Sequence, residues 1–129
     1  MKFDDKVPIY YQIKQYIYHE MIDGTLPPGA KLPAVRQLAL DLTVNVNTVQ
    51  RALSEMITEG TLTSQRGKGN FVTTDQARIT QLKTTLVTEQ LTLAYNQLHA
   101  LDLSDSEIVT SLQQYIAQRE ERQHDSIND

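Results

Sequence analysis

Arg36, Asn45, Asn47, Thr48, Gln50 and Arg51 fall in a short stretch, and Arg66-Gly67-Lys68-Gly69 follows soon after. The amides of Asn and Gln carry a donor beside an acceptor, which matches an adenine edge. A guanidinium forks onto a guanine edge or onto two phosphate oxygens, and a threonine bonds a phosphate or touches a thymine methyl. Glycines around two cations make a slim positive turn that follows phosphates or enters a minor groove. Together these side chains point to non-covalent reading of a duplex rather than to turnover. Arg51 has a second reading, an ion pair with Glu55 four residues on, and Asn45 a second reading as a helix cap.

Chemistry of other kinds lacks its residues. There is no cysteine, so disulfides and thiolate metal sites are excluded. His19, His99 and His124 lie far apart in sequence, which suits surface positions better than a metal site. No paired carboxylates, nucleophile–base set or phosphate loop stands out, and Gly67-Lys68-Gly69 is too short for a nucleotide loop. An enzyme, a bound metal and a cofactor are therefore not expected. Tyr10, Tyr11, Tyr16 and Tyr18 share one helical stretch at differing angles and read as core and rim packing, not as a stacking surface for single strands.

The elements that must position the polar set follow from periodicity. Pro8 opens a first helix with Ile9, Ile13, Ile17 and Met21 as its inward stripe, and Asp23-Gly24 ends it. Pro27-Pro28-Gly29 is a turn. A short second helix turns Val35, Leu38, Ala39 and Leu42 inward, and Thr43-Val44 connects it to a third. That third helix is capped by Asn45, packs through Val49, Ala52, Leu53, Met56 and Ile57, and closes at Glu59-Gly60. Two helices joined so briefly cross steeply and leave one face of the second free. Residues 61–65 and 70–73 are β-prone runs flanking the glycine-rich turn, a hairpin signal.

Beyond Asp75 the pattern is helical again. Ile79, Leu82 and Leu86 lead into Val87, Leu91, Ala94, Leu98 and Leu101 at alternating spacings of four and three, which makes a seam for another helix. Ser104-Asp105-Ser106-Glu107 is a capping box, and the last helix carries Ile108, Leu112, Tyr115 and Ile116 on one side. The fold expected is mainly α with a small β-hairpin. A winged helix-turn-helix over residues 1–75 precedes a two-helix dimerisation appendage over 76–122 and a polar, disordered tail over 123–129. Dimerisation is assigned to Leu82, Leu86, Leu91, Ala94, Leu98 and Leu101.

Charge divides along the same line. The chain of 129 residues has a net charge of −4. Residues 1–75 hold five Lys and three Arg against eight acids, and residues 76–129 hold one Lys and three Arg against eight. The whole of the −4 thus lies in the second part, away from the helix-turn-helix. No run approaches a membrane span of roughly 18 apolar residues and no signal peptide precedes Pro8, so a cytoplasmic protein without membrane contact is expected.

Four segments carry a resemblance: P-I-Y-Y-Q-I from Pro8, L-P-P-G-A-K-L-P-A-V-R-Q-L-A from Leu26, N-T-V-Q-R-A-L from Asn47 and E-G-T-L-T-S-Q-R-G-K-G-N-F-V from Glu59. In this order and spacing they resemble the GntR family of bacterial transcription regulators over about residues 7–73. The short remainder resembles the YtrA-type subfamily. The resemblance implies a homodimeric, DNA-binding repressor acting on an inverted-repeat operator, with transporter or cell-envelope genes as targets. It implies contacts to duplex DNA from Arg36, from the start of the third helix and from the wing, and no large ligand pocket. It identifies no small-molecule effector. A winged-helix module that binds another protein is the alternative. Three residues depart from the family pattern: Ala34 where a serine cap is usual, Thr43 where a turn glycine is common, and Val46 where a polar or basic residue is frequent.

Overall fold

The structure, a computed structural model, describes residues 6–128, with 123–128 as helix backbone only. The elements run α1 (Ile9–Ile22), α2 (Val35–Leu42), α3 (Val46–Glu59), β1 (Leu62–Gln65), β2 (Gly69–Val72), α4 (Gln76–Ala100) and α5 (Asp105–Asn128). The chain divides into two compact units, one up to Thr84 and one from Thr85, so the first residues of α4 belong with the winged part.

In the first unit α3 packs against α1, α2 and β1. Ile13, Ile17 and Met21 meet the core from α1, Leu38, Ala39 and Leu42 from α2, and Val49, Ala52, Leu53 and Met56 from α3. Leu32, Leu62 and Val72 are buried too. Each large aliphatic side chain so enclosed contributes about 1.5–3 kcal/mol. The expected stripes need three adjustments. Ile9 is 45% exposed, because it stands in the first turn of α1, and Val35 and Ile57 are only half-buried.

Caps end the helices where the sequence reading put them. The Asn45 side chain accepts from the Asn47 amide at 2.7 Å, which pairs one of the donors an α-helix leaves open at its start. Gly60 closes α3 at φ +85°. Thr43 closes α2 at φ 56°, ψ 51°, its amide donating to the carbonyls of Ala39 and Leu40. A β-branched residue therefore occupies the left-handed position that glycine takes most easily.

The hairpin pairs Leu62 with Val72, Thr63 with Phe71, Ser64 with Asn70 and Gln65 with Gly69. A third piece of extended chain joins it, unforeseen in the sequence. Lys31 bridges Phe71, the Leu32 amide donates to Asn70 at 2.9 Å, and the Val72 amide donates to Ala30 at 2.8 Å. The residues after Pro27-Pro28-Gly29 thus give β2 a second partner.

In the second unit Leu86 is buried, whereas Val87, Leu91, Leu93, Tyr95, Leu101, Val109, Leu112, Tyr115 and Ile116 are exposed. Leu101 lies in the turn after α4, not on the helix. The capping box forms as read: the Ser104 amide donates to Glu107 Oε1 at 3.0 Å and the Glu107 amide to Ser104 Oγ at 3.3 Å. The Tyr95 and His99 rings stack at 5.6 Å, with the Tyr95 hydroxyl donating to Asp105 at 2.9 Å. α5 continues to Asn128, past residue 123 where a disordered tail was expected. No glycine or proline interrupts 105–128, and Glu, Arg and Gln are good helix formers. Asp129 lies outside the described residues.

Candidate nucleic-acid interface

The core of α3 fixes what the rest of that helix can do. With Val49, Ala52, Leu53 and Met56 turned inward, Asn47, Gln50 and Arg51 are exposed and Thr48 is half-exposed. Asn47 and Thr48 stand in the first turn behind the Asn45 cap. Gln50 Nε2 donates to Ser54 Oγ at 3.4 Å, a weak restraint that leaves the amide presentable. Arg36 is exposed in the first turn of α2, one residue past Val35. Together with Ala39, Leu40, Val44 and Val46 it lines a shallow open cleft between the end of α2 and the start of α3.

Arg51 is more constrained than the others. Its guanidinium carbon sits 3.8 Å above the centroid of the Tyr10 ring, and Nε lies 3.8 Å from Glu55. Both readings of Arg51 were open in the sequence. The Glu55 pair is present, at the long end for such contacts, and the stacking on α1 adds a restraint that sequence spacing did not reveal.

Glu55 also belongs to a second cluster that sequence reasoning missed. Lys14, 7% exposed, bonds Glu55 at 3.2 Å and also Glu59, while the Tyr18 hydroxyl donates to the other oxygen of Glu59. Burial pulls the Lys14 pKa down, but the two carboxylates outweigh it and hold it above the usual lysine value. Burial, then the Glu59 carboxylate, push the Tyr18 phenol well above its ordinary range. The cluster ties α1 to the back of α3 and so sets the direction in which α3 presents its polar turns.

At the hairpin tip Arg66, Gly67, Lys68 and Gly69 are all exposed. The Lys68 amide donates to Gln65 at 2.9 Å, and Gly67 and Gly69 adopt φ +75° and +115°, a region other residues avoid. A Cβ on Gly69 would meet Lys31 Cε at 3.1 Å. The Lys31 stem therefore lies across the wing and adds a third cation beside Arg66 and Lys68. Its signal in the sequence was slight, a single lysine between a turn and a leucine.

Among the described residues no cluster of His, Asp or Glu has a metal-binding arrangement, and no helix is long and apolar enough to cross a membrane. Residues 9–72 match the family described as bacterial regulatory proteins, gntR family. The HTH-type transcriptional repressor YtrA of Bacillus subtilis is 38% identical over 94 residues, covering 73% of this chain and 68% of that one. A GntR family transcriptional regulator from Listeria monocytogenes superposes with a TM-score of 0.81 at 35% identity, over 87% of this chain and 98% of its own. The DNA-binding domain of AraR, solved in complex with its operator ORR3, superposes with a TM-score of 0.51 at 28% identity, over 56% and 87% of the two chains.

Proposed function

We propose that this chain, a transcriptional regulator that belongs to the gntR family of bacterial regulatory proteins, binds an inverted-repeat operator as a homodimer and represses by occupying it. The observation that carries this reading is the exposed polar set on the first turns of α3, held outward by a fully buried opposite face. The first turns of a recognition helix are the part that meets base edges in the major groove. Asn47 and Gln50 are the base readers, Thr48 contacts a phosphate or a thymine methyl, and Asn45 keeps the helix start in place. Arg36 forks onto a guanine edge or phosphates. Arg51, stacked on Tyr10, presents its charge to the backbone. Arg66 and Lys68, with Gly67 and Gly69 keeping the tip slim, lie along phosphates or a minor groove.

The homodimer rests on a different observation. Leu91, Ala94 and Leu101 of the proposed seam are exposed, and so are Val87, Leu112, Tyr115 and Ile116. Soluble monomers rarely leave so many large apolar groups in water on one pair of helices. A two-fold pair of such chains covers them and places two α3 helices on two half-sites. The genes controlled, transporter or cell-envelope genes by resemblance, are part of the same proposal.

Selection from randomised duplex DNA at physiological salt tests the reading. An enriched inverted repeat with half-sites one or more helical turns apart is expected. A pool that stays unenriched would overturn it and favour the protein-binding module.

A further inference from the structure

We infer that the cleft beside Arg36 is a thymine-methyl site: Val46 and Leu40 receive the 5-methyl group of a thymine in the major groove. The inference rests on the duplex reading above and adds a base preference to it. Val46 is the first residue of α3 and is 42% exposed, and Leu40, one turn along α2 from Arg36, is 74% exposed. Apart from side chains on α1, these are the large apolar groups left exposed among the described residues of the first unit. They do not stand apart. Both line the same cleft with Ala39, Val44 and Arg36, and Arg36 is the one charged group there.

Neither residue serves the helix it stands on. A valine at the start of α3 has lower helix propensity than alanine and caps nothing. Leu40 points away from the core that Leu38, Ala39 and Leu42 fill. Their common property is an apolar surface in the cleft that Arg36 also lines, and Val46 stands between Asn45 and Asn47 in the chain. Thymine is the base that presents an apolar group in the major groove, whereas adenine, guanine and cytosine present donors and acceptors. A polar edge laid against Val46 and Leu40 loses its water and gains no partner from either side chain, which disfavours it wherever Arg36 is engaged with the neighbouring edge or phosphate. A methyl gains by leaving water. The cleft therefore selects thymine at one position, adjacent to the edge or phosphate held by Arg36.

Deoxyuridine tests this, because it differs from thymidine only in lacking that methyl. In the duplex recovered by selection, each thymine is replaced in turn and the affinity of the full chain is measured. One thymine in each half-site is expected to cost about fourfold on replacement, the worth of one methyl returned to water. In V46A and in L40A the cost at that thymine should disappear. Both are exposed positions at which alanine suits a helix, and circular dichroism checks that the fold is kept. A flat deoxyuridine scan, or a cost that persists unchanged in both variants, overturns the inference while leaving the duplex reading intact. A flat scan together with loss of repression by L40A in cells gives the cleft to a protein partner instead. If selection enriches no duplex at all, the underlying reading fails and the thymine site with it.

Discussion

Thr43 holds a left-handed backbone, φ 56° and ψ 51°, in order to bring its amide onto the Ala39 and Leu40 carbonyls at the end of α2. That conformation costs an L-residue about 1–2 kcal/mol, and a glycine avoids it at the expense of a more flexible unfolded chain, about 0.5–1 kcal/mol. Thr43→Gly is therefore expected to raise stability by about 0.5–1 kcal/mol, read as a higher urea midpoint with unchanged slope. A lower midpoint would mean that the threonine side chain stabilises the turn in some other way. The Lys14–Glu59–Tyr18 cluster makes a second prediction. Both the ammonium and the phenol titrate above their ordinary values when folded. A raised folded pKa gives stability that is complete below the unfolded value and is lost as pH rises through the folded one. The urea midpoint should hold steady on this account up to about pH 10 and fall beyond it. In Tyr18→Phe that alkaline decline should be shallower; an unchanged decline would place its origin elsewhere. The Thr43 turn was legible, because a β-branched residue stood where a glycine-like conformation was needed. Lys14 was not, since its partners lie 41 and 45 residues away, and a lysine on an amphipathic helix ordinarily reads as solvated.

In the proposed complex helix α3 and the wing divide the work of recognition, and their variants should divide in the same way. Lys68 stands on a two-glycine turn with no ion pair among the described residues. In the proposed complex it neutralises a phosphate whatever the sequence. Lys68→Ala is expected to weaken binding to all duplexes alike and to reduce the slope of log affinity against log salt by about one. Gln50→Ala should instead change preference at particular base pairs and keep the slope. A uniform loss from Gln50→Ala would move that residue from base reading to the backbone. The elements themselves were readable because each has a local signature: Asn45 and Gly60 bracket α3, and two β-prone runs enclose a glycine turn. The extended piece at Ala30–Leu32 was missed. Three residues after a Pro-Pro-Gly turn carry too little alternation to announce a strand, and their pairing with β2 is long-range. Lys31 was missed as a wing cation for the same reason.

For the whole molecule, the acidic second part and the exposed apolar side chains of α4 and α5 belong to one argument. In the proposed complex a net charge of −4 carried entirely by residues 76–129 disfavours contact of that part with phosphates, and a second copy covers its exposed apolar side chains. The heptad-like spacing reads as a seam, although sequence alone does not separate packing within the chain from packing between chains. Leu91 discriminates, because it is 58% exposed on α4 and belongs to the second unit. Leu91→Glu should give monomers by sedimentation equilibrium, with little change in helix content, since a glutamate at that position suits an exposed helix. Binding to an inverted repeat should then weaken by about 10²–10⁴, the gain two linked half-sites provide through effective concentration. The salt slope should fall to about half, because one protomer releases half the counterions. Binding to an isolated half-site should hardly change, because none of the proposed DNA contacts is touched. If Leu91→Glu still sediments as a dimer, the interface lies on another face. If it is monomeric and yet binds the full repeat as tightly as before, the pairing of chains is not what joins the two half-sites.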